Sequence, residues 1–178
     1  WFYYNPCGKW QRIISFVPST LTYAVNGHYD LQLDISPEGY VRFRPYREVN
    51  GDAVDIMSSL PIEEGWHFVC CSWSEEGINL FVDDQSPVTS SYSGGIAALD
   101  TTFTLGAEHK IPGVACLNSL IDDLRISSIA RSDEEIAEAY ASGEPLSVDP
   151  YTTYLMNFDN NLKSYYGLPP EQVWVPLG

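Results

Sequence analysis

The sequence is short of positive charge. Lysine and arginine number 9 against 24 aspartates and glutamates, leaving a net charge of −15. No basic patch on such a chain neutralises a phosphate backbone, which argues against nucleic-acid binding. Binding to an anionic membrane surface is disfavoured for the same reason. The acidity reads as solubility, or more sharply as cation binding at carboxylate-bearing loops. Long apolar runs are also missing, so no segment reads as a membrane span. Cysteines are few: Cys7, Cys70, Cys71 and Cys116. No C-x-x-C pair suggests zinc or a redox motif. Cys70 and Cys71 are adjacent in a strand-like run, so their side chains point to opposite faces. Buried free thiols are expected, with one bridge from Cys7 to Cys70, Cys71 or Cys116 as the alternative. The compartment stays open on that count. The first residue is Trp1 and no signal peptide is visible, so the chain is expected to be a piece of a longer polypeptide.

What the sequence has is aromatic surface and β-type patterning. Its 178 residues suit one domain with a sizeable core, and aromatics reach 13%, with 12 Tyr and 5 Trp. Such a composition suits strands, and also surfaces that bind sugars or proteins. Short apolar runs recur at roughly 8 to 12 residue spacing, the mark of a sandwich or barrel. They are 1–4, 12–16, 21–25, 29–35, 40–44, 53–57, 66–73, 78–82, 102–106, 120–127 and 152–158. Tyr29 to Ile35 and Tyr40 to Arg44 alternate strictly about a turn at Pro37-Glu38-Gly39. They predict a hairpin with Val41 and Phe43 inward, Arg42 and Arg44 outward, and one wet face. GWHFVCCSW at 65–73 and INLFVDD at 78–84 read as a second hairpin. Ser90 to Gly95 reads as a loop. Ser132-Asp133-Glu134-Glu135 is a capping box, so a single helix is expected, with Ile136, Ala139 and Tyr140 on its apolar face and Gly143 ending it. The Tyr- and Pro-rich tail from Leu162 to Gly178 is expected to order only by docking onto something else.

These runs, in this order, resemble the laminin-G-like jelly rolls of the concanavalin A-like lectin and glucanase superfamily, in their bacterial and phage versions. Gly65-Trp66-His67-Phe68-Val69 resembles the family's W-H-x-v strand, and Ile78 to Asp83 resembles its partner ending in v-D-G. Leu105-Gly106 matches an l-G strand end. Ile121 to Ile126 matches I-D-e-v-r-I, and SDEEI matches the s-x-e-E-I that follows. The usual Gly after Val-Asp is Asp84 here, and the Gly two residues before Ile121 is Ser119. The family's opening strand, with its F-D-g signature, has no counterpart before Trp1. Tyr154 to Leu162 resembles it at the other end. It is expected to pair within this domain, with strand exchange into a neighbour, or the start of a second repeat, as the alternatives.

The resemblance implies an all-β fold: an antiparallel β-sandwich jelly roll over residues 1–143 with one short C-terminal helix. Residues 144–178 would be a connector, an extra strand at 152–158 and the tail. Enzymatic activity is not expected, because the E-x-D-x-x-E carboxylates of the superfamily's glucanases are absent. His28, His67 and His109 sit on separate segments, and His67 is expected to bond backbone or water rather than to act as a base. The resemblance also implies a structural calcium, for which Asp122, Asp123 and Asp159 are the candidate ligands. Tyr29, Tyr40, Tyr46, Trp73 and Tyr92, near strand ends or loops, are the candidate ligand-binding aromatics. The expected function is non-catalytic adhesion: recognition of a glycan or surface-protein ligand within a larger extracellular or virion surface protein, with homo-oligomers allowed. The alternative is a structural decoration or assembly module of a phage particle or multidomain surface protein.

Overall fold

The computed structural model describes residues 1–18, 31–45, 54–91, 101–107, 115–158 and 164–166. Chain order runs β1 (Phe2–Tyr4), β2 (Gln11–Pro18), β3 (Leu31–Ile35), β4 (Val41–Pro45), β5 (Ile56–Met57), β6 (Gly65–His67), β7 (Val69–Ser74), β8 (Gly77–Val82), β9 (Val88–Ser90), β10 (Thr101–Leu105), β11 (Leu120–Ile121), β12 (Leu124–Ser127), α1 (Asp133–Ser142), β13 (Thr152–Met156) and β14 (Ser164–Tyr166). The architecture is all-β with antiparallel sheets and one short helix, the β-sandwich jelly-roll class. The chain forms two compact units, Tyr3–Leu120 and Trp1–Phe2 with Ile121–Gly178. One division between the units falls at Leu120/Ile121. The reason is strand pairing: β12, before the helix, pairs with β13, after it.

In the larger unit, a five-stranded sheet has the order β10-β2-β3-β4-β5, and a second sheet has the order β7-β8-β9. Alternation fills the space between them. Leu31, Leu33 and Ile35 of β3 and Val41 and Phe43 of β4 are buried, as are Ile78, Leu80 and Val82 of β8. The Phe43 ring meets that of Trp73 on β7 at 6.4 Å between centroids, which joins the two sheets face to face. β1 lies beside β6, with Phe2 and Tyr4 buried and Tyr3 turned outward.

Two turns depend on glycine. At Gly39 (φ +92) a Cβ would come within 2.8 Å of the Ile62 carbonyl oxygen. At Gly77, opposite Ser74 in the β7–β8 hairpin, it would meet the Ser90 carbonyl oxygen at 2.4 Å. That approach exists because β9 pairs with β8. Val88–Ser90 is therefore a strand where the sequence reads as leading into a loop.

The wet face expected of the first hairpin is not wet on β3. Gln32 and Asp34 are buried along with Leu31, Leu33 and Ile35. A β-bulge between Arg12 and Ile14 explains part of this. Simple alternation puts Arg12 and Ile14 on one face. The extra residue reverses the order, so Ile14 opposes Leu33 in the core while Arg12 opposes Asp34 on the other face.

The smaller unit is a sheet of order β12-β13-β14 with α1. The capping box is complete: Ser132 Oγ accepts from the Glu135 amide, Glu135 accepts from the Ser132 amide, and Gly143 closes the helix in the left-handed conformation. Tyr140 of α1 stacks on Trp1 at 5.9 Å. Tyr154 and Leu155 of β13 are buried, and Ser164–Tyr166 pairs with β13. That part of the tail thus docks within its own chain. Arg131 ties the unit together, donating to Ser127 Oγ and Asp149 and pairing with Glu135. Asp149 also accepts from the Tyr151 amide and the Thr152 hydroxyl.

The Arg131 hydrogen bond, with those of Thr152 and Tyr151, holds the Asp149 carboxyl far below the usual carboxylate range. A carboxyl depressed in the folded state stabilises the fold above its unfolded pKa, and that contribution drains away as pH falls. Melting temperature is therefore expected to drop as pH is lowered through and below about 4. Asp149→Asn should start lower at neutral pH and show a shallower acid decline. An unchanged slope in a pH series of thermal melts counts against this assignment.

Candidate functional site

The unusual feature of the larger unit is a carboxylate buried in the middle of a sheet. Asp34 is 1% exposed. Left alone there it would be neutralised or would unfold the strand. Arg42 Nε and Nη2 donate to its two oxygens at 2.9 and 2.8 Å, a bidentate pair. Arg12 Nη2 lies 3.5 Å from Oδ2. Register supplies both arginines, since Arg12 and Arg42 are the direct cross-strand partners of Asp34 on β2 and β4. Asp55 extends the ladder outward, pairing with Arg44 at 3.1 Å and Arg42 at 4.0 Å.

This cluster supports an aromatic. The Arg42 guanidinium sits 4.1 Å from the centroid of the Trp10 ring, and Trp10 is 37% exposed. A cation under the ring adds attraction beyond the area covered. Asp34 fixes Arg42, and Arg42 fixes Trp10. The outcome is a rigid aromatic platform at the surface, backed by planar polar groups.

A second exposed aromatic is Trp66 in β6, 48% exposed. Its neighbour His67 is engaged at both ring nitrogens. Nδ1 lies 2.6 Å from Asp83 Oδ2 and Nε2 lies 2.7 Å from the Glu63 carbonyl oxygen. Asp83 Oδ1 accepts from the Phe68 amide at 2.7 Å, and the Asp83 amide donates to the Phe68 carbonyl. Asp83 adopts φ +50 in the turn after β8, which the Gln85 amide closes onto the Val82 carbonyl. The turn thus clips the end of β8 to the β6–β7 junction. The left-handed residue is Asp83, one position before Asp84, and Asp84 is exposed. His67 bonds a backbone carbonyl as expected, and also a carboxylate. With both nitrogens occupied it is not placed to act as a general base.

Of the aromatics expected to bind ligand, Tyr29, Tyr46 and Tyr92 lie outside the described residues. Tyr40 is half-buried at the start of β4, where its amide donates to Ser36 Oγ. The Trp73 ring turns to Phe43 and contributes to packing between the sheets. Trp10 and Trp66 were not among the expected aromatics. Trp66 sits in a motif that marks the fold, and Trp10 precedes the bulge that displaces simple alternation. Asp122 and Asp123 are adjacent at a turn where Asp123 has φ +47 and its amide donates to Asp122 Oδ1. Asp159 lies outside the described residues. Among the described residues, no group of three or more His, Cys, Asp or Glu gathers to hold a metal ion. A calcium site at this turn would have to draw on residues beyond that set. All four cysteines are free thiols; Cys7 and Cys116 are exposed, which corrects the expectation that all would be buried.

A family model described as the concanavalin A-like lectin/glucanases superfamily, of laminin-G type, matches residues 1–137. No curated protein matches the chain.

Removing the Asp34 carboxylate leaves two arginines, one of them Arg12 at 7% exposure, without their shared counter-charge. Asp34→Ala is expected to cost about 3–5 kcal/mol in denaturant unfolding, because two arginines lose the buried carboxylate they share. A loss below about 1 kcal/mol, the range of surface pairs, would show that the cluster is solvated in solution.

Proposed function

The chain belongs to the concanavalin A-like lectin/glucanase superfamily, and from that premise we propose that it is a non-catalytic recognition module for a glycan or cell-surface ligand, carried by a larger extracellular or virion surface protein. The superfamily is typified by carbohydrate and ligand binding. The observation that carries the finer reading is the Trp10 platform. A sugar ring is gripped by an aromatic face flanked by fixed planar hydrogen-bonding groups. Trp10 supplies the aromatic face, and Arg42 beneath it, held by Asp34, keeps that face in place before any ligand arrives.

Support for a non-catalytic role comes from the carboxylates that are best ordered. Asp34 is committed to arginines, Asp83 to His67 and the Phe68 amide, and Asp149 to Arg131. None of these is paired with a second carboxylate as glycoside hydrolysis requires. Among the described residues no helix is long and apolar enough to cross a membrane. Placement on an extracellular or virion surface belongs to the proposal. Calcium is a separate proposal at Asp122, Asp123 and Asp159. It predicts a melting temperature that rises with calcium and falls in excess EDTA, and an unmoved temperature removes it.

A glycan array tests the main reading. Binding is expected, and Trp10→Ala should weaken it about tenfold or more, since stacking on an aromatic face contributes on the order of 1 kcal/mol or above. The variant is expected to fold, with a melting temperature lowered by loss of the ring's contact with Arg42. Silence on the array, or binding indifferent to Trp10, favours the structural decoration module instead.

A further inference from the structure

The Trp66 surface differs in geometry from the Trp10 platform. The Tyr3 and Trp66 rings meet at 83°, with centroids 5.8 Å apart. Two rings at a right angle make a corner and not a flat bench. Tyr3 points outward from β1 between buried Phe2 and Tyr4, and Trp66 projects from the neighbouring β6. At this corner stands a carboxylate: the Tyr3 hydroxyl donates to Glu64 Oε1 at 3.2 Å. That hydrogen bond and the Glu64 charge raise the Tyr3 pKa and keep the phenol protonated. The corner is also held in shape. His67 is pinned to the Glu63 carbonyl and to Asp83, and Phe68 to Asp83, so the chain on both sides of Trp66 is anchored.

The geometry points to a cation site: the Tyr3–Trp66 corner, with Glu64, takes a quaternary or alkylated ammonium group. Ring faces carry negative potential, and two of them at a right angle surround a tetrahedral cation on two sides. The Glu64 carboxylate supplies the counter-charge. A bulky methylated ammonium suits the corner better than a bare one, because its methyl groups lose less hydration on meeting the rings. The net charge of −15 concentrates cations around the whole molecule. A neutral sugar is the weaker fit. It stacks on one open face and needs several hydrogen-bonding partners, whereas this corner presents two crossed rings and a single carboxylate.

The test uses choline against 3,3-dimethyl-1-butanol, its uncharged carbon isostere, on the whole chain at fixed ionic strength. The readout is the indole N–H resonance of Trp66, assigned by its loss in Trp66→Ala. Choline is expected to move that resonance saturably, and the isostere to leave it in place at the same concentration. Glu64→Gln should weaken choline binding about fivefold through loss of the facing charge. Tyr3→Leu should weaken it roughly tenfold through loss of one ring face. Tyr3→Phe keeps the ring and should bind within about twofold of the parent. Equal shifts from the isostere would make the corner a plain apolar patch and overturn the proposal. So would binding unchanged by Glu64→Gln, or binding lost in Tyr3→Phe, which would point to a hydroxyl-reading ligand. Glu64 is exposed and Tyr3 half-buried, so their variants are expected to fold, and Trp66→Phe serves for the assignment should Trp66→Ala not fold.

Discussion

One carboxylate sets the terms for the larger unit. Asp34 lies in β3, at the centre of a five-stranded sheet, where both faces are closed to water. A charge in that position is stable only with its partners in place. The partners come from both neighbouring strands at matching register, so the ion cluster and the strand alignment require one another. A slip of one residue in β2 or β4 would turn an arginine to the core and strand the carboxylate. The hydrophobic face of β3 tolerates near misses, because its leucines and isoleucine differ little in shape. The polar face does not. In this sheet the apolar side supplies most of the driving force and the polar side selects the alignment. The same Arg42 then orients Trp10, so alignment inside the sheet and aromatic display outside it are one arrangement.

The second hairpin has a comparable clip, built differently. β7 and β8 pair over their full lengths, yet that ladder says nothing about where β6 should lie. Asp83 supplies the answer. Its backbone amide, and both of its carboxylate oxygens, reach the His67–Phe68 step. The cost is a left-handed backbone at a residue with a side chain, where aspartate is among the better tolerated choices. Three contacts offset that cost and fix the path of the chain into β6. Trp66 inherits its position from this clip and from its ring contact with Tyr3. A residue that marks the family's fold is thereby also presented to solvent.

Much of this was legible in the residues, and the exceptions share a cause. Strict alternation located β3 and β4, and the W-H and v-D halves located β6 to β8. The S-x-x-E box located α1, because a cap is a local hydrogen-bond pattern that four residues determine. What alternation could not show was a change of face inside a strand. The bulge at Arg12–Ile14 moved Arg12 onto the side of Asp34, and no residue type in QRIISF announces a bulge. Likewise 66–73 and 120–127 each read as one strand and are each two, broken at Phe68 and at Asp122–Asp123. The first break serves the Asp83 clip, which is a tertiary contact. Side-chain partners are hidden for the same reason: Trp73 stands near a turn, and only the fold shows that its ring meets Phe43 across the sandwich. The motif residues His67 and Asp83 were both visible, while their pairing across 16 positions was not.

The distribution of the scarce cations bears on which ligands the unit can accept. Four of the nine basic side chains, Arg12, Arg42, Arg44 and Arg131, pair with carboxylates. Their charge is largely neutralised where it stands, and it contributes little to the field that an approaching molecule meets. That field is set by the remaining acidic excess. Polyanions, including acidic polysaccharides as well as nucleic acids, approach against it, most strongly at low salt. Neutral and cationic ligands do not. The paired arginines therefore make two demands compatible: Trp10 receives a guanidinium beneath its ring, and the chain as a whole keeps its acidic excess. A lysine at position 42 would lose the bidentate grip on Asp34 and the planar stack under Trp10 together. Arginine is the one side chain that meets both requirements at that position.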